Sequence, residues 1–205
     1  MCGRYYIEED SELSELESIV REAGRRAPEG QMKTRGEVFP SDVVPVLAYS
    51  KSMVQTAFPM KWGYALSSGK LLINVRSETA SEKPMFRESM ARHRCAAPAS
   101  CYFEWERRGR EKIKYAIRPR KAGIMYLAGI YRLEGGKPVF SVLTREPADP
   151  IRFIHDRMPV ILPPERIGEW MNPTIDAQET LQRAVLDVEP FAADLPRAEQ
   201  LSALD

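Results

Sequence analysis

Hydrophobic and polar residues alternate along most of this chain, and a helical spacing interrupts the alternation at only a few places. Near the N-terminus, apolar residues recur three and four positions apart over residues 11–25, which predicts an amphipathic helix behind an Asp10/Ser11 cap. Much of the remaining chain consists of the short apolar or alternating runs that are typical of β-strands. Strands are predicted at residues 1–7, 43–49, 53–58, 61–65, 71–75, 94–106, 114–118, 124–133, 138–144 and 158–162.

Prolines mark where further helices begin and end. Pro84 suits the first turn of a short helix, because the backbone N–H of that position has no partner inside the helix. The Pro163-Pro164 pair leads into another helix that ends near Asn172-Pro173, and residues 176–186 have the spacing of a last amphipathic helix. Helices are therefore expected near the two ends of the chain and at one short segment in the middle.

The order of these elements predicts an α+β fold. Gly135-Gly136 is a hairpin signal between two consecutive strands, so the middle of the chain is predicted to be an antiparallel meander. No internal repeat, low-complexity linker or break in composition divides the chain. We expect a single domain over residues 1–205, with a central antiparallel, barrel-like β-sheet and peripheral helices. The functional motifs lie within residues 2–170, and a C-terminal helix and acidic tail follow over residues 174–205.

The composition is that of an ordinary soluble globular protein. Of 205 residues, 43% are hydrophobic and 29% are charged, and 30 Lys and Arg balance 29 Asp and Glu for a net charge of +1. No apolar run approaches the roughly 18 residues that a membrane span needs, and acidic residues follow the N-terminus without an apolar signal region. These features argue against disorder and membrane insertion. They predict a cytoplasmic protein, associated with the nucleoid if the source is bacterial.

Charge is balanced over the whole chain but not along it. Residues 86–121 hold eleven basic and four acidic side chains, so the middle of the chain is locally basic. A phosphate-binding patch and a solvated face of strands and turns both explain this segment.

The cysteines point to chemistry rather than to a structural framework. Cys2, Cys95 and Cys101 form neither an even disulfide set nor a C-x-x-C metal pair, and the chain has only two histidines, which argues against structural zinc. Removal of Met1 would leave Cys2 with an α-amine (pKa about 8) and a thiol (pKa about 8.5) on adjacent carbons. Such a 1,2-aminothiol condenses with an aldehyde to a Schiff base and closes to a five-membered thiazolidine, which a mid-chain cysteine cannot do.

Other polar residues interrupt apolar strands. Asn74 and Arg76 lie two apart on a predicted strand and so share one face, where they offer an amide and a guanidinium. Glu104 is flanked by aromatic residues and suits a general acid or base, and His155 precedes a strand in a polar segment. Trp62 is a candidate stacking platform for a base. Each also has a structural explanation: a strand end, an ion-paired carboxylate, a structural histidine and a core tryptophan.

Seven segments, taken together in this order and spacing, resemble the SOS response-associated peptidase (SRAP) family of abasic-site processing proteins. They are residues 1–5, 39–41, 61–63, 74–79, 94–98, 103–105 and 155–159. The resemblance runs from Cys2 to about Trp170. It implies a DNA damage response protein that binds single-stranded DNA, or a junction of single-stranded and duplex DNA, and crosslinks covalently to the ring-opened aldehyde of an abasic site. It also implies contact with the replication machinery.

The resemblance also implies roles for individual residues. Cys2 is the nucleophile, Asn74 holds the N-terminal amine or the sugar hydroxyls, Glu104 moves protons during condensation and ring closure, and His155 helps to open the deoxyribose. The matching positions for DNA contact are Arg4, Pro40, Trp62, Arg76, Thr144 and Arg157. No metal or organic cofactor is expected, because the aldehyde itself is the electrophile. A monomer that does not bind membranes is the expected state.

The peptidase label and the N-terminal cysteine leave alternatives open. Autocatalytic removal of Met1 explains the label, and general proteolysis is less favoured because the nucleophile lies at residue 2. A mature Cys-Gly start also resembles the class II glutamine amidotransferases, in which the same amine and thiol hydrolyse an amide. A third alternative is a noncovalent reader of modified or single-stranded DNA. Cys101 departs from the small residue that many relatives of the family have, and a buried apolar role is expected for it.

Overall fold

Two β-sheets that meet at Ser100 dominate the computed structural model, which describes residues 2–8, 14–121 and 123–193. The strands are β1 (Arg4–Ile7), β2 (Gly36–Val38), β3 (Val43–Tyr49), β4 (Gln55–Trp62), β5 (Tyr64–Ala65), β6 (Leu71–Leu72), β7 (Asn74–Arg76), β8 (Arg94–Ala99), β9 (Cys101–Arg108), β10 (Glu111–Pro119), β11 (Met125–Glu134), β12 (Lys137–Arg145), β13 (Met158–Pro159), β14 (Ile161–Leu162) and β15 (Val188–Ala192). The helices are α1 (Ser14–Gly24), α2 (Ser77–Ala80), α3 (Pro84–Arg92), α4 (Ile167–Met171) and α5 (Ala177–Gln182), and short 3-10 turns cover Asp149–Ile151 and Pro164–Arg166.

The larger sheet closes on itself, which confirms the predicted barrel. Its strands run in the order β13-β12-β4-β3-β8-β11-β14, and β12 pairs with β11 as well as with β4, so five strands form a ring. Most neighbours are antiparallel, as predicted. However, β12 runs parallel to both β4 and β7, with Val139 opposite Lys61 and Val142 opposite Asn74. The sheet is therefore mixed, and the parallel pairing places Asn74 beside the barrel wall.

The smaller sheet has five antiparallel strands in the order β15-β10-β9-β1-β2. Tyr5 of β1 pairs with Tyr102 of β9, and both side chains are fully buried. The segment 94–106 was predicted as one strand, but the chain changes sheet at Ser100. The backbone N–H of Ser100 donates to the Tyr6 carbonyl (2.8 Å), and its hydroxyl accepts from the Glu8 N–H (2.9 Å). This change of sheet places β9, and with it Glu104, beside the start of the chain.

The core lies inside the barrel and between the two sheets, and it contains Trp62. The indole is fully buried, tilted against Tyr5 with ring centroids 5.2 Å apart and stacked on Phe140 at 6.4 Å. Its Nε1–H donates to the Ile73 carbonyl at 3.1 Å. The predicted contact of Trp62 with DNA is therefore wrong, because no face of the ring reaches solvent. The alternative, a core tryptophan, is confirmed.

Helices cover the outside of the sheets. In α1, the buried Leu16, Ile19 and Ala23 confirm the predicted apolar face, whereas the predicted cap at Asp10/Ser11 lies outside the described residues. The last predicted helix is shorter than expected: α5 ends at Gln182, and the chain continues into β15, which pairs with β10. Residues 194–205 of the predicted acidic tail also lie outside the described residues. None of the helices described here is long and apolar enough to cross a bilayer.

Candidate functional site

Cys2 and Asn74 form the centre of the candidate site. Cys2 precedes β1 and is fully buried, and its carbonyl oxygen accepts a hydrogen bond of 2.8 Å from Nδ2 of Asn74. Asn74 lies on β7, which the parallel pairing with β12 holds in place. In the part of the chain that the structure describes, the buried Oδ1 of Asn74 has no hydrogen-bond partner. This amide therefore fixes the backbone of Cys2 with its N–H group and keeps an acceptor beside it.

The surroundings of Cys2 keep its thiol protonated. Burial raises the pKa of the Cys2 thiol far above its ordinary value, and the negative charge of Glu104 raises it further. The Sγ–H group donates weakly to the Arg4 carbonyl, with 3.6 Å between sulfur and oxygen. In this state Cys2 carries a neutral thiol rather than a thiolate, and forming the thiolate would require a change in its surroundings.

Glu104 reaches the site from β9. It is only 5% exposed, between the buried Phe103 and the half-buried Trp105, and it is close enough to Cys2 to affect the thiol electrostatically. The strand register places Phe103 opposite Arg4 and Glu104 opposite Tyr115. A buried carboxylate beside a nucleophile suits proton transfer, as the sequence indicated.

His155 lies in the loop before β13, and its side chain is 29% exposed. Its Nδ1 is 2.6 Å from Oδ1 of Asp156 and 3.0 Å from the backbone nitrogen of Arg157. One ring nitrogen either donates to the carboxylate or accepts from the N–H, so these contacts belong to different protonation states of Nδ1. The loop thus holds the imidazole ring in place through Nδ1.

An open cleft runs past Gly3, the neighbour of Cys2, and joins Glu104 to His155. Its volume is about 470 Å³, and it is lined by Gly3, Arg4, Glu104, Trp105, Arg107, Lys112 and His155. A second cleft of about 470 Å³, lined in part by Arg152 and Phe153, shares His155. The structure thus brings together the chain start, Glu104 and His155, which the sequence separates by as many as 150 positions.

Arg4 lies at this cleft among aromatic rings. Its guanidinium lies over the rings of Phe39 (4.7 Å) and Trp105 (5.1 Å), 3.5 Å from the Glu37 carboxylate, and the side chain is 39% exposed. Pro40 follows Phe39 and is half-buried. Phe39 and Trp105 belong to segments that the sequence analysis singled out, but neither was predicted as a contact residue. The sequence feature that could have indicated them is their position directly beside a predicted site residue: Phe39 precedes Pro40, and Trp105 follows Glu104.

The loop that carries Phe39 and Pro40 rests on the backbone of Trp62. The N–H of Ser41 donates to the Trp62 carbonyl and the N–H of Trp62 donates to the Asp42 carbonyl, both at 2.9 Å. Ser41 has a φ of 78°, in the left-handed region. The backbone of Trp62 therefore supports the loop, and the exposed Phe39 and half-buried Pro40 lie on its outer side.

Two predicted DNA contacts lie on neighbouring strands with opposite exposure. Arg76, at the end of β7, is exposed. Thr144, its register partner on β12, is fully buried, and its hydroxyl donates to the Val75 carbonyl at 3.4 Å. The side chain of Thr144 is enclosed between strands in this structure, and its contact with DNA stays a prediction. Arg76 remains available to a ligand.

Arg157 is held by protein groups. Its side chain is 11% exposed, and its two terminal nitrogens donate to the Glu78 carboxylate at 2.7 and 2.8 Å. One of them also donates to the Thr144 carbonyl at 2.7 Å, and the hydrogen bond from Arg157 lowers the pKa of Glu78. Glu78 occupies the bidentate face of the guanidinium in this state, so the DNA contact of Arg157 stays a prediction that requires this pair to open. Sequence analysis missed Glu78, whose only signal was its place two residues after Arg76.

Comparison with known proteins places this geometry in a family. The sequence model of the family described as SOS response associated peptidase (SRAP) matches residues 1–201. The chain is 32% identical to the abasic site processing protein YoqW of Bacillus subtilis, over 100% of this chain and 93% of that protein. It is 29% identical to the abasic site processing protein YedK of Escherichia coli, over 90% of this chain and 85% of that protein.

A solved structure also shares the fold. A crystal structure of a protein from Bacteroides thetaiotaomicron superposes with a TM-score of 0.73 at 23% identity, covering 93% of this chain and 91% of that one.

Proposed function

The chain belongs to the SOS response-associated peptidase family, and from this premise we propose that it processes abasic sites in DNA by covalent capture through Cys2. Relatives named as abasic site processing proteins support the DNA lesion as the target. The observation that carries the chemical proposal is the Asn74–Cys2 hydrogen bond beside Glu104 and His155. These are the groups that a condensation between an N-terminal cysteine and an aldehyde needs.

The first step is removal of Met1. Water adds to the Met1–Cys2 amide, the C–N bond breaks, and the products are free methionine and the α-amine of Cys2. Asn74 holds the Cys2 carbonyl during this step, and Glu104 moves the proton from water to the departing amine. The peptidase name of the family fits this self-processing.

The sugar of an abasic site must also open. An abasic deoxyribose is mostly a closed hemiacetal, and opening it breaks the C1′–O4′ bond. The hemiacetal hydroxyl loses its proton, O4′ gains one, and an aldehyde remains at C1′. We assign the proton donated to O4′ to Nε2 of His155, because its Nδ1 is engaged by Arg157 or Asp156. No oxidant or reductant is needed.

The amine then reacts before the thiol. The α-amine adds to C1′ and the carbinolamine loses water to give an iminium, with Glu104 as acid and then base. The resting thiol is neutral because burial raises its pKa. A positive iminium beside it acts in the opposite direction and favours the thiolate. The Glu104 carboxylate, which gave its proton to the departing water, accepts the proton of the thiol. Sulfur then adds to C1′, the nitrogen keeps its proton, and the thiazolidine ring is complete.

The cleft and its rim fit a single DNA strand. Arg4 lies at the cleft and Arg76 is exposed near Asn74, so we assign them to phosphates on either side of the lesion. The loop that carries Phe39 and Pro40 lies beside Arg4, where it would contact an unstacked neighbour of the lesion. Arg157 acts indirectly: its backbone supports His155, and its side chain holds Glu78, two residues after Arg76.

The test uses purified protein and an oligonucleotide with one abasic site. A denaturing gel and intact mass spectrometry should show an adduct that forms without borohydride, has lost Met1 and maps to Cys2. Cys2→Ala should form none, whereas Cys101→Ala, which removes a mostly buried thiol on β9, should form the adduct normally. Failure of wild type to form an adduct after losing Met1 would contradict covalent capture. Glutamine hydrolysis and noncovalent DNA binding would then be measured on the same samples.

A further inference from the structure

The hairpin between β9 and β10 carries two cations that face each other. Arg107 of β9 pairs directly with Lys112 of β10 in the antiparallel register. Both residues are exposed, and both line the cleft that contains Glu104 and His155. The side chains of directly opposed residues start about 5 Å apart, so two long basic side chains reach a common point.

This pair costs stability unless something negative joins it. Like charges directly opposite each other destabilise an antiparallel sheet. Two other cations of these strands are neutralised: Arg108 pairs with Glu106 at 2.7 Å, and Lys114 pairs with Glu37. Arg110 lies at the tip of the hairpin and does not line the cleft. Over residues 2–8, 14–121 and 123–193, neither Arg107 nor Lys112 forms an ion pair. The hairpin therefore leaves two converging positive charges without compensation at the mouth of the cleft.

We infer that Arg107 and Lys112 form a phosphate subsite for the DNA strand where it leaves the Cys2 cleft. Two cations around one point match a phosphate diester, whose charge is spread over two oxygens. Along β9, Arg4 lies opposite Phe103 and Lys112 lies opposite Arg107, with Trp105 between these two positions, and all but Phe103 line the cleft. The inference rests on the proposed function, because the phosphate is that of a bound DNA strand.

Other sources of negative charge fit less well. A free phosphate ion would occupy the pair without using the rest of the cleft, which is open and continuous with Gly3 and Glu104. A DNA strand contacts both the cation pair and the rest of the cleft, and its affinity rises with each further phosphate contact. The two cases differ in how binding depends on strand length and on salt concentration.

The first experiment measures affinity for an undamaged single-stranded oligonucleotide at several salt concentrations. Arg107→Gln/Lys112→Gln should weaken binding about fivefold at 0.1 M salt and flatten the log–log salt slope by about 0.7, the amount for one phosphate contact on a single strand. Arg110→Gln/Lys51→Gln removes the same charge from the hairpin tip and a distant turn, and should bind as wild type. An equal loss in both double variants, or a loss without a change in slope, would overturn the inference.

The second experiment tests the same contact from the DNA side, by removing the charge of one phosphate at a time. A tetrahydrofuran abasic analogue, which has no aldehyde, fixes the register, and each phosphate in turn is replaced by a neutral methylphosphonate. At one position outside the lesion, this replacement should lower the affinity of wild type about fivefold and leave the affinity of Arg107→Gln/Lys112→Gln unchanged. If no linkage has this pattern, or inorganic phosphate alone displaces the strand at equal concentrations, the subsite is wrong.

These results separate the inference from the proposed function, because binding to undamaged DNA does not require Cys2 chemistry. Crosslinking by wild type is measured on the same preparation. If wild type crosslinks but the Arg107/Lys112 variant binds like its control, the subsite is wrong and covalent capture stands. If wild type does not crosslink but the variant loses affinity with a shallower slope, the subsite stands and the capture chemistry is wrong.

Discussion

Asn74 donates a 2.8 Å hydrogen bond from Nδ2 to the carbonyl oxygen of Cys2 and so joins two residues that lie 72 positions apart. The bond is buried, and Asn74 itself lies on a strand that is paired with β12 of the barrel. The position of the nucleophile therefore depends on the barrel wall rather than on the short segment that carries it. A rigid support of this kind is what holds a reactive group in a productive geometry.

Asn74→Ala should slow crosslinking without abolishing it. The change leaves the buried Cys2 carbonyl without its donor, which costs about 1–3 kcal/mol and so about fivefold to 150-fold in rate if the transition state bears the loss. Single-turnover crosslinking at saturating DNA measures the rate. A thermal melt of the same variant separates lost positioning from lost folding. An unchanged rate in a folded Asn74→Ala protein would contradict this role.

Glu104→Gln should raise the alkylation rate of the Cys2 thiol and lower the rate of crosslinking. The Glu104 carboxylate contributes to the raised pKa of Cys2, so its neutral isostere should lower that pKa, although burial, the larger cause, remains. Alkylation of Cys2 below its pKa should therefore become faster. Crosslinking should become slower by about a hundredfold or more, because the group that transfers protons is lost.

These two readouts are made on one protein sample. Alkylation is followed across pH by mass spectrometry of the Cys2 peptide, with Glu106→Gln on the same strand as the matched control. If both rates rise in Glu104→Gln, the carboxylate does not take part in proton transfer.

Arg157→Gln distinguishes positioning from phosphate contact. The guanidinium is bound to Glu78 and to the Thr144 carbonyl, so its loss should disturb the His155 loop and lower the crosslinking rate at saturating DNA by about tenfold. The salt slope of binding to undamaged DNA should equal that of wild type, because no phosphate contact is lost. Glu78→Gln should reproduce the slower rate. A slope shallower by about 0.7 in Arg157→Gln would show instead that Arg157 leaves Glu78 and binds phosphate.

The sequence was informative where a local pattern decides the structure. Alternating residues predict most strands, and short segments single out Cys2, Asn74, Glu104 and His155, of which Cys2 and Asn74 are joined by a hydrogen bond and Glu104 and His155 line one cleft. Pairings between distant segments were not predictable in this way. Glu78 and Arg157 lie 79 positions apart, and nothing near either residue indicates that they pair. The sheet change at Ser100 depends on hydrogen bonds to Tyr6 and Glu8, which also lie far away in the sequence.

Trp62 illustrates a second limit. Alternating apolar and polar residues show that the two faces of a barrel strand differ. They do not show which face an aromatic residue lies on, because an exposed aromatic that binds a ligand and a buried one occur at the same spacing along the strand. The indole of Trp62 faces Tyr5 and Phe140 and is fully enclosed, so the core decides its role.

Trp62→Phe should therefore destabilise the fold while leaving the DNA-contacting surface unchanged. The substitution leaves the Ile73 carbonyl without the indole N–H and opens a cavity beside Phe140, which together cost about 2–4 kcal/mol in the free energy of unfolding. Urea unfolding measures this cost. Affinity for undamaged single-stranded DNA, measured well below the unfolding midpoint, should match that of wild type, because the phenyl ring remains buried. An affinity loss of tenfold with little loss of stability would return Trp62 to the DNA interface, since only an exposed ring gives that combination.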